Sequence, residues 1–235
     1  MRASDVAAVV PCHEELPAPS LLDAIARRVG SVLVVGDGLP PSALESLTGL
    51  PGSGVDVLQL PRRSGKGTAV ATGIERLLAR PAPPAAVLVV DGDGQHPPAA
   101  IPSFLAAAAS SELVIGDRFA DLSAMPLHRR IGNLVACGIV AAASGRRMRD
   151  TQCGMRLLHG RALHDVPFPR GGYEAETRHL RRCVAAGVTP AWVPIPSLYD
   201  GGPSSFRPVR DSLRILGAIV LAGPRHVPGA GEASP

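Results

Sequence analysis

A chain of 235 residues, 46% hydrophobic and 19% charged, is long enough to bury a sizeable core and of the right size for one α/β domain. Its formal net charge of +4 suits an anionic ligand, but only 3% of its residues are aromatic, too few for base stacking, and the basic residues gather into no nucleic-acid motif. A nucleic-acid partner is therefore not expected.

The first two-thirds alternate short apolar runs with helical patterns, which predicts βαβ units around a mostly parallel central sheet flanked by helices. Strands are expected at 6–10, 31–35, 55–60, 86–90 and 113–115. Helices are expected at 21–29, 42–47, 67–78 and 98–109, the last opening on prolines, which helix starts tolerate. The alternation then loosens into a helix at 127–143, a strand near 153–158, a helix at 173–186, a strand at 188–195, a loop at 199–208 and an amphipathic helix at 209–221. Residues 1–222 read as a single domain and 223–235 as a disordered tail. No apolar run approaches the ~20 residues needed to cross a bilayer. The N-terminus enters a strand with no signal-like apolar region, so a cytoplasmic protein is expected. Cys12, Cys137, Cys153 and Cys183 show no CxxC spacing and suggest neither a zinc site nor a disulfide framework.

Ligands of open α/β sheets gather at the carboxyl ends of the strands, and three predicted strand ends carry acids: Glu14-Glu15, Asp37, and Asp91 with Asp93. In Asp91-Gly92-Asp93-Gly94-Gln95-His96, an extended chain would point Asp91, Asp93 and Gln95 to one side. Hard oxygen ligands so placed suit a Mg²⁺ or Mn²⁺ that keeps positions open for diphosphate oxygens. An isolated Asp-x-Asp is more often a turn that closes a strand. Lys66, the one lysine of the chain, stands in Ser64-Gly65-Lys66-Gly67-Thr68. A P-loop is rejected because position 60 is leucine where the first glycine is required. The two glycines still let a ligand approach the backbone at a helix N-terminus, where amides favour anions. Arg118, Arg129, Arg130 and Arg156, taken singly, read as surface residues or partners of nearby acids. Glu174 and Glu176 open a helix, where carboxylates are favourable whatever their function.

Taken in order, these segments resemble the family 2 glycosyltransferases of the dolichol-phosphate mannose synthase kind, over roughly residues 6–215. Pro11-Cys12-His13-Glu14-Glu15 resembles Pro-x-Tyr-Asn-Glu, and Val35-Gly36-Asp37-Gly38 resembles Asp-Asp-Gly-Ser with its preceding valine. Gly65-Lys66-Gly67 and the acidic segment follow. Gly116-Asp117-Arg118, Arg129-Arg130 with Asn133, Asp150-Thr151-Gln152-Cys153-Gly154-Met155-Arg156, Tyr173-Glu174-Ala175-Glu176 and Val193-Pro194-Ile195 complete the series. Any one match is weak, and the ordered set is specific.

The resemblance implies a GT-A fold and an inverting, metal-dependent transfer of a sugar from a UDP- or GDP-sugar to an acceptor, polyprenyl phosphate among the candidates. The donor would meet Pro11, His13, Glu15, Asp37, Lys66, Asp91, Gly92 and Asp93, and Asp91, Asp93 and Gln95 would hold Mg²⁺ or Mn²⁺. Arg118 would face phosphate, and Asp150 or Glu174 would take the proton of a hydroxyl acceptor. His13, Glu14 and Gly36 depart from the family pattern, which leaves the base open. Loop 200–207 lacks the family's Arg and Lys, for which Arg207 and Arg210 are candidate substitutes. The 209–221 segment either packs on its own domain or rests on the inner face of the membrane, where a lipid acceptor would wait. Two rivals stand beside this reading. One is an inactive nucleotide-sugar-binding protein. The other is a haloacid-dehalogenase-type phosphatase, disfavoured because Gln95 and the lack of a later lysine break its pattern.

Overall fold

The computed structural model describes residues 1–40, 54–120 and 145–196, with 42, 43, 47, 137, 138 and 140–142 between them. The loop expected at 199–208, the helix at 209–221 and the tail at 223–235 lie outside the described residues. So do most of the helices expected at 42–47 and 127–143, and with them Arg129, Arg130, Asn133, Arg207 and Arg210.

A seven-stranded sheet runs in the order β3-β2-β1-β4-β6-β5-β7. Its centre is made of β1 (Val6–Cys12), β2 (Ser31–Asp37) and β4 (Ala86–Val89), nearly every residue of which is buried. Such continuous apolar runs, without alternation, are what a parallel strand covered on both faces requires. The edge strand β3 (Val55–Leu60) is only partly buried. β1 pairs in parallel with β2 and β4, β2 with β3, and β5 (Leu113–Asp117) with β7 (Ala191–Pro194). β6 (Arg156–His159) alone is inserted antiparallel, between β4 and β5. β1, β2, β4 and β5 therefore all empty at the same edge, which places the three acidic strand ends together.

The helices described over their whole length are α1 (Pro19–Ala26), α2 (Lys66–Leu78), α3 (Ile101–Ala107), α4 (Gly160–His164) and α5 (Glu174–Ala185). α2 lies on β1 and β2 and also touches α5. Its approach is so close that a Cβ on Gly73 would stand 2.8 Å from Val9 Cγ1 and 3.0 Å from Val35 Cγ2. One buried cluster spans these elements, from Val6 in β1 to Ile195 after β7.

Several bounds shift: the helix expected at 21–29 is α1, Pro19–Ala26, the strand expected at 188–195 narrows to Ala191–Pro194, and two further changes have a visible cause. The strand foreseen at 153–158 begins only at Arg156, because residues 150–155 form a loop whose Thr151 and Cys153 carbonyls accept from the Arg156 guanidinium. The helix foreseen at 98–109 opens as a 3-10 turn at Pro98–Ala100 before α3 begins.

Candidate functional site at the carboxyl edge of the sheet

The site assembles around the lysine. Asp37, at the end of β2 and 4% exposed, accepts the backbone N–H groups of Ser64 (2.6 Å, Oδ1) and Gly65 (2.8 Å, Oδ2). Both carboxylate oxygens thus fasten the loop that leads into α2. Gly65 holds φ at +96°, a conformation that favours glycine, and Lys66 begins the helix. The glycines of this loop serve packing against protein and not the open ligand approach that the sequence suggests. A Cβ on Gly65 would meet the Gly171 carbonyl oxygen at 2.6 Å, and one on Gly67 would meet Ala175 Cβ at 2.2 Å. Thr68 completes the seam, donating its N–H to Gly171 O and accepting the Gly171 N–H on Oγ1.

So fixed, the Lys66 side chain crosses the site. Its ammonium lies 2.7 Å from Asp91 Oδ1, 2.8 Å from Glu176 Oε1 and 5.6 Å from the centre of the Tyr173 ring. Burial alone would push the ammonium's pKa down, but Asp91 and then Glu176 outweigh it and hold the pKa above the ordinary lysine value. For Asp91, burial works upward, and the charge and hydrogen bond of Lys66 work downward and prevail. Apart from the ammonium, Asp91 Oδ1 and Glu176 Oε1 have no hydrogen-bond partner although both are buried. Glu176 is 3% exposed on α5, which is pinned from below by the fully buried Arg156, whose Nη1 donates to the Glu176 carbonyl at 2.8 Å. The expectation of a surface Arg156 is thereby corrected: this guanidinium is an internal clamp on three carbonyls.

Asp91, Asp93 and Gln95 do not lie along an extended chain. Residues 92–94 turn, with Gly94 at φ +76°, and Asp93 Oδ1 accepts the Gln95 N–H at 3.0 Å. The cause is the pair of glycines, which allow the carboxylate to close a local turn over its own backbone. Asp93 consequently stands at the tip and reaches solvent, while Asp91 turns inward. Desolvation by the surrounding protein, then the Asp91 charge, raises the Asp93 pKa. Gly154 packs directly on Asp91, where a Cβ would lie 2.3 Å from Oδ2, and a Cβ on Gly92 would lie 3.2 Å from the Pro11 carbonyl oxygen.

The other candidates divide. Pro11 is buried within β1, beside Val35 of β2. His13 is half-buried, with Nε2 3.6 Å from Glu14 Oε1, and Glu14 also receives Arg63 at 3.3 Å; Glu15 is exposed. Arg118 and Asp150 hold each other: Nε and Nη2 donate to the two carboxylate oxygens at 2.5 and 2.8 Å, and the Arg118 N–H adds a third bond to an acid that is 0% exposed. Glu174 accepts the Gly172 N–H and so closes its own loop, at a remove from the ammonium that Glu176 reaches. Among the described residues, no three His, Cys, Asp or Glu side chains cluster as a metal cage. No helix among them is long and apolar enough to cross a membrane.

Two residues outside the predicted site set enter it. Glu176 had a legible signal, since it shares the stripe 176/180/183 with Leu180 and Cys183, where a charge has no business unless it is paired. His96 had none beyond its place after Gln95. It is 3% exposed and sits against both Asp91 and Cys153.

This strand order, with β6 alone reversed and the acids at the common carboxyl edge, is the GT-A fold of nucleotide-diphospho-sugar transferases. The chain belongs to glycosyl transferase family 2, whose model matches residues 7–162. Glucosyl-3-phosphoglycerate synthase of Mycobacterium tuberculosis, solved with phosphoglyceric acid, superposes with a TM-score of 0.69 at 18% identity, covering 92% of this chain and 79% of that one. Mannosyl-3-phosphoglycerate synthase of Rubrobacter xylanophilus gives 0.67 at 17% identity, covering 92% and 71%. An uncharacterized protein of Methanocaldococcus jannaschii is 33% identical over 93 residues, which span 36% of this chain and 40% of that relative.

Proposed function

We propose that the chain transfers a sugar from a nucleoside diphosphate sugar, UDP- or GDP-linked, to an acceptor, using a Mg²⁺ or Mn²⁺ held at the acidic turn. One observation carries this reading: a single ammonium, Lys66, is shared by the carboxylates of Asp91 and Glu176, and Asp93, two residues after Asp91, is the acid left open to solvent. Three carboxylates to one ammonium give these four residues a net formal charge of −2, and desolvation followed by the Asp91 charge holds the Asp93 pKa above its ordinary value. A divalent cation relieves both. The donor set fits hard cations that take few protein oxygens and complete their shell with diphosphate and water.

When bound, such a cation stabilises the negative charge that gathers on the departing diphosphate. The chain's own residues do the rest. Asp37 fixes the loop that delivers Lys66, Lys66 keeps Asp91 ionised and in place, and the turn presents Asp93. Asp150 and Glu174 are each engaged by Arg118 or a backbone amide, and Glu176 by Lys66, so none stands free as the nucleophile of a double displacement. This favours a single, inverting displacement. Membership of family 2 supports an acceptor bearing a phosphate or hydroxyl, with polyprenyl phosphate and phosphoglycerate as the two to try first. The first would bring the chain to the inner face of the membrane as a peripheral protein.

Calorimetric titration of UDP-glucose, UDP-N-acetylglucosamine and GDP-mannose, with Mn²⁺ or with chelator, tests the proposal on the wild type and on Asp93→Ala. Metal-dependent binding of one donor, lost in the variant, is expected. Absence of binding for every donor under both conditions refutes the donor site. A donor that binds without turnover, with either acceptor or with water, favours the inactive binding protein instead.

A further inference from the structure

His96 is buried, absent from the predicted donor and metal residues, and wrapped by the very turn it ends. Its Nδ1 accepts the Asp91 N–H at 3.4 Å and lies 3.7 Å from Asp91 Oδ2. Its Nε2 lies 3.8 Å from Cys153 Sγ. An Nδ1 that accepts a backbone N–H carries no proton, so the proton resides on Nε2 and points at the Cys153 sulfur. Cys153 in turn sits where a Cβ on Gly116 would be 2.7 Å from its Sγ, at the end of β5. The imidazole therefore closes the turn at 92–94 across its base and ties it to the loop before β6. Gly154 of that loop rests against the same Asp91 carboxylate.

We infer that His96 is the positioning residue of the acidic turn: by binding the Asp91 backbone through Nδ1 and the Cys153 loop through Nε2, it sets the separation and aim of Asp91 and Asp93. This rests on the reading of that turn as the cation and diphosphate site. The bland role, a satisfied core histidine, would affect stability alone. A positioning role also affects how well the turn holds a cation, because a group that orients a ligand typically changes metal affinity by about 10- to 100-fold when removed.

The experiment titrates Mn²⁺ into the full chain, following free Mn²⁺ by electron paramagnetic resonance, with thermal melting in parallel, for wild type, Asp93→Ala, His96→Phe and His96→Asn. His96→Phe is expected to weaken Mn²⁺ by about tenfold or more. His96→Asn, whose amide oxygen can accept the Asp91 N–H, should recover to within about threefold of wild type even if both variants melt lower. Wild-type Mn²⁺ affinity in a folded His96→Phe overturns the inference, as does a folded His96→Asn no better than the phenylalanine variant. Should His96→Phe not fold, imidazole ¹⁵N spectra of the wild type decide: an Nε2–H tautomer whose Nδ1 resonance moves on adding Mg²⁺ supports the role, and an Nδ1–H tautomer or an unmoved resonance overturns it. A wild type that binds no Mn²⁺, with or without donor, instead refutes the functional reading on which the inference stands.

Discussion

Replacing Lys66 with methionine keeps most of the side chain's volume and removes its charge, leaving Asp91 and Glu176 without their shared partner. The lysine side chain is only 15% exposed, so solvent screens little of the interaction. With an effective dielectric near 20, a contact of the observed length gives about 6 kcal/mol before desolvation. Most of that is offset by the cost of burying the charges, and removing one partner of a buried pair costs about 3–5 kcal/mol net. Equilibrium urea unfolding at pH 7 should therefore show Lys66→Met less stable than wild type by that amount. The pH dependence has a definite sign. The Asp91 pKa is lowered in the folded state, so its stabilising contribution is fully present above the unfolded carboxyl value of about 3.9 and fades as pH falls through the lower folded value. The wild type should lose its advantage over the variant as pH falls below about 4. Adding Asp91→Asn to Lys66→Met should restore part of the loss at pH 7. A single-variant loss below about 1 kcal/mol, the value of an exposed pair, or a loss that does not shrink on acidification, would refute the reasoning.

Arg118→Met should cost about 3–5 kcal/mol in the same unfolding assay, because it strands the fully buried Asp150 carboxylate; the double variant with Asp150→Leu should recover most of it. Gly154→Ala places a Cβ 2.3 Å from Asp91 Oδ2 and must displace that acid. Mn²⁺ affinity should fall about tenfold while stability falls by about 1–3 kcal/mol, and unchanged Mn²⁺ binding would show that Asp91 does not help to hold the ion.

The parallel half of the sheet was readable because its strands are continuous apolar runs and its helices carry a 3.6-residue period. β1 and β2 fall on the predicted runs and extend two residues beyond them, β4 stops one residue short of its run, and α2 starts one residue early, at Lys66 itself. The second half was readable in kind more than in bounds. β6 is short and its approach loop is shaped by Arg156, a buried guanidinium that bonds to carbonyls three, five and twenty residues away. Nothing in a hydropathy pattern announces that.

The acidic turn shows where residue-by-residue reading runs out. Period-2 spacing says that Asp91 and Asp93 share a side only if the backbone is extended, and the glycines at 92 and 94 permit a turn in which the two acids part. Asp91 goes to Lys66, 25 positions earlier, and Asp93 to solvent. The pairing is decided by which loops the sheet edge brings together, so a spacing rule identifies the acids without identifying their charges' partners. The same holds for Glu174 and Glu176: equally acidic and two positions apart, they are separated by the helix's own rotation, which turns one back to Gly172 and the other into the core against the ammonium. As acids that open a helix the two weigh alike in the sequence; the buried stripe 176/180/183 is what separates them, since a carboxylate on an apolar face implies a cation opposite, here Lys66.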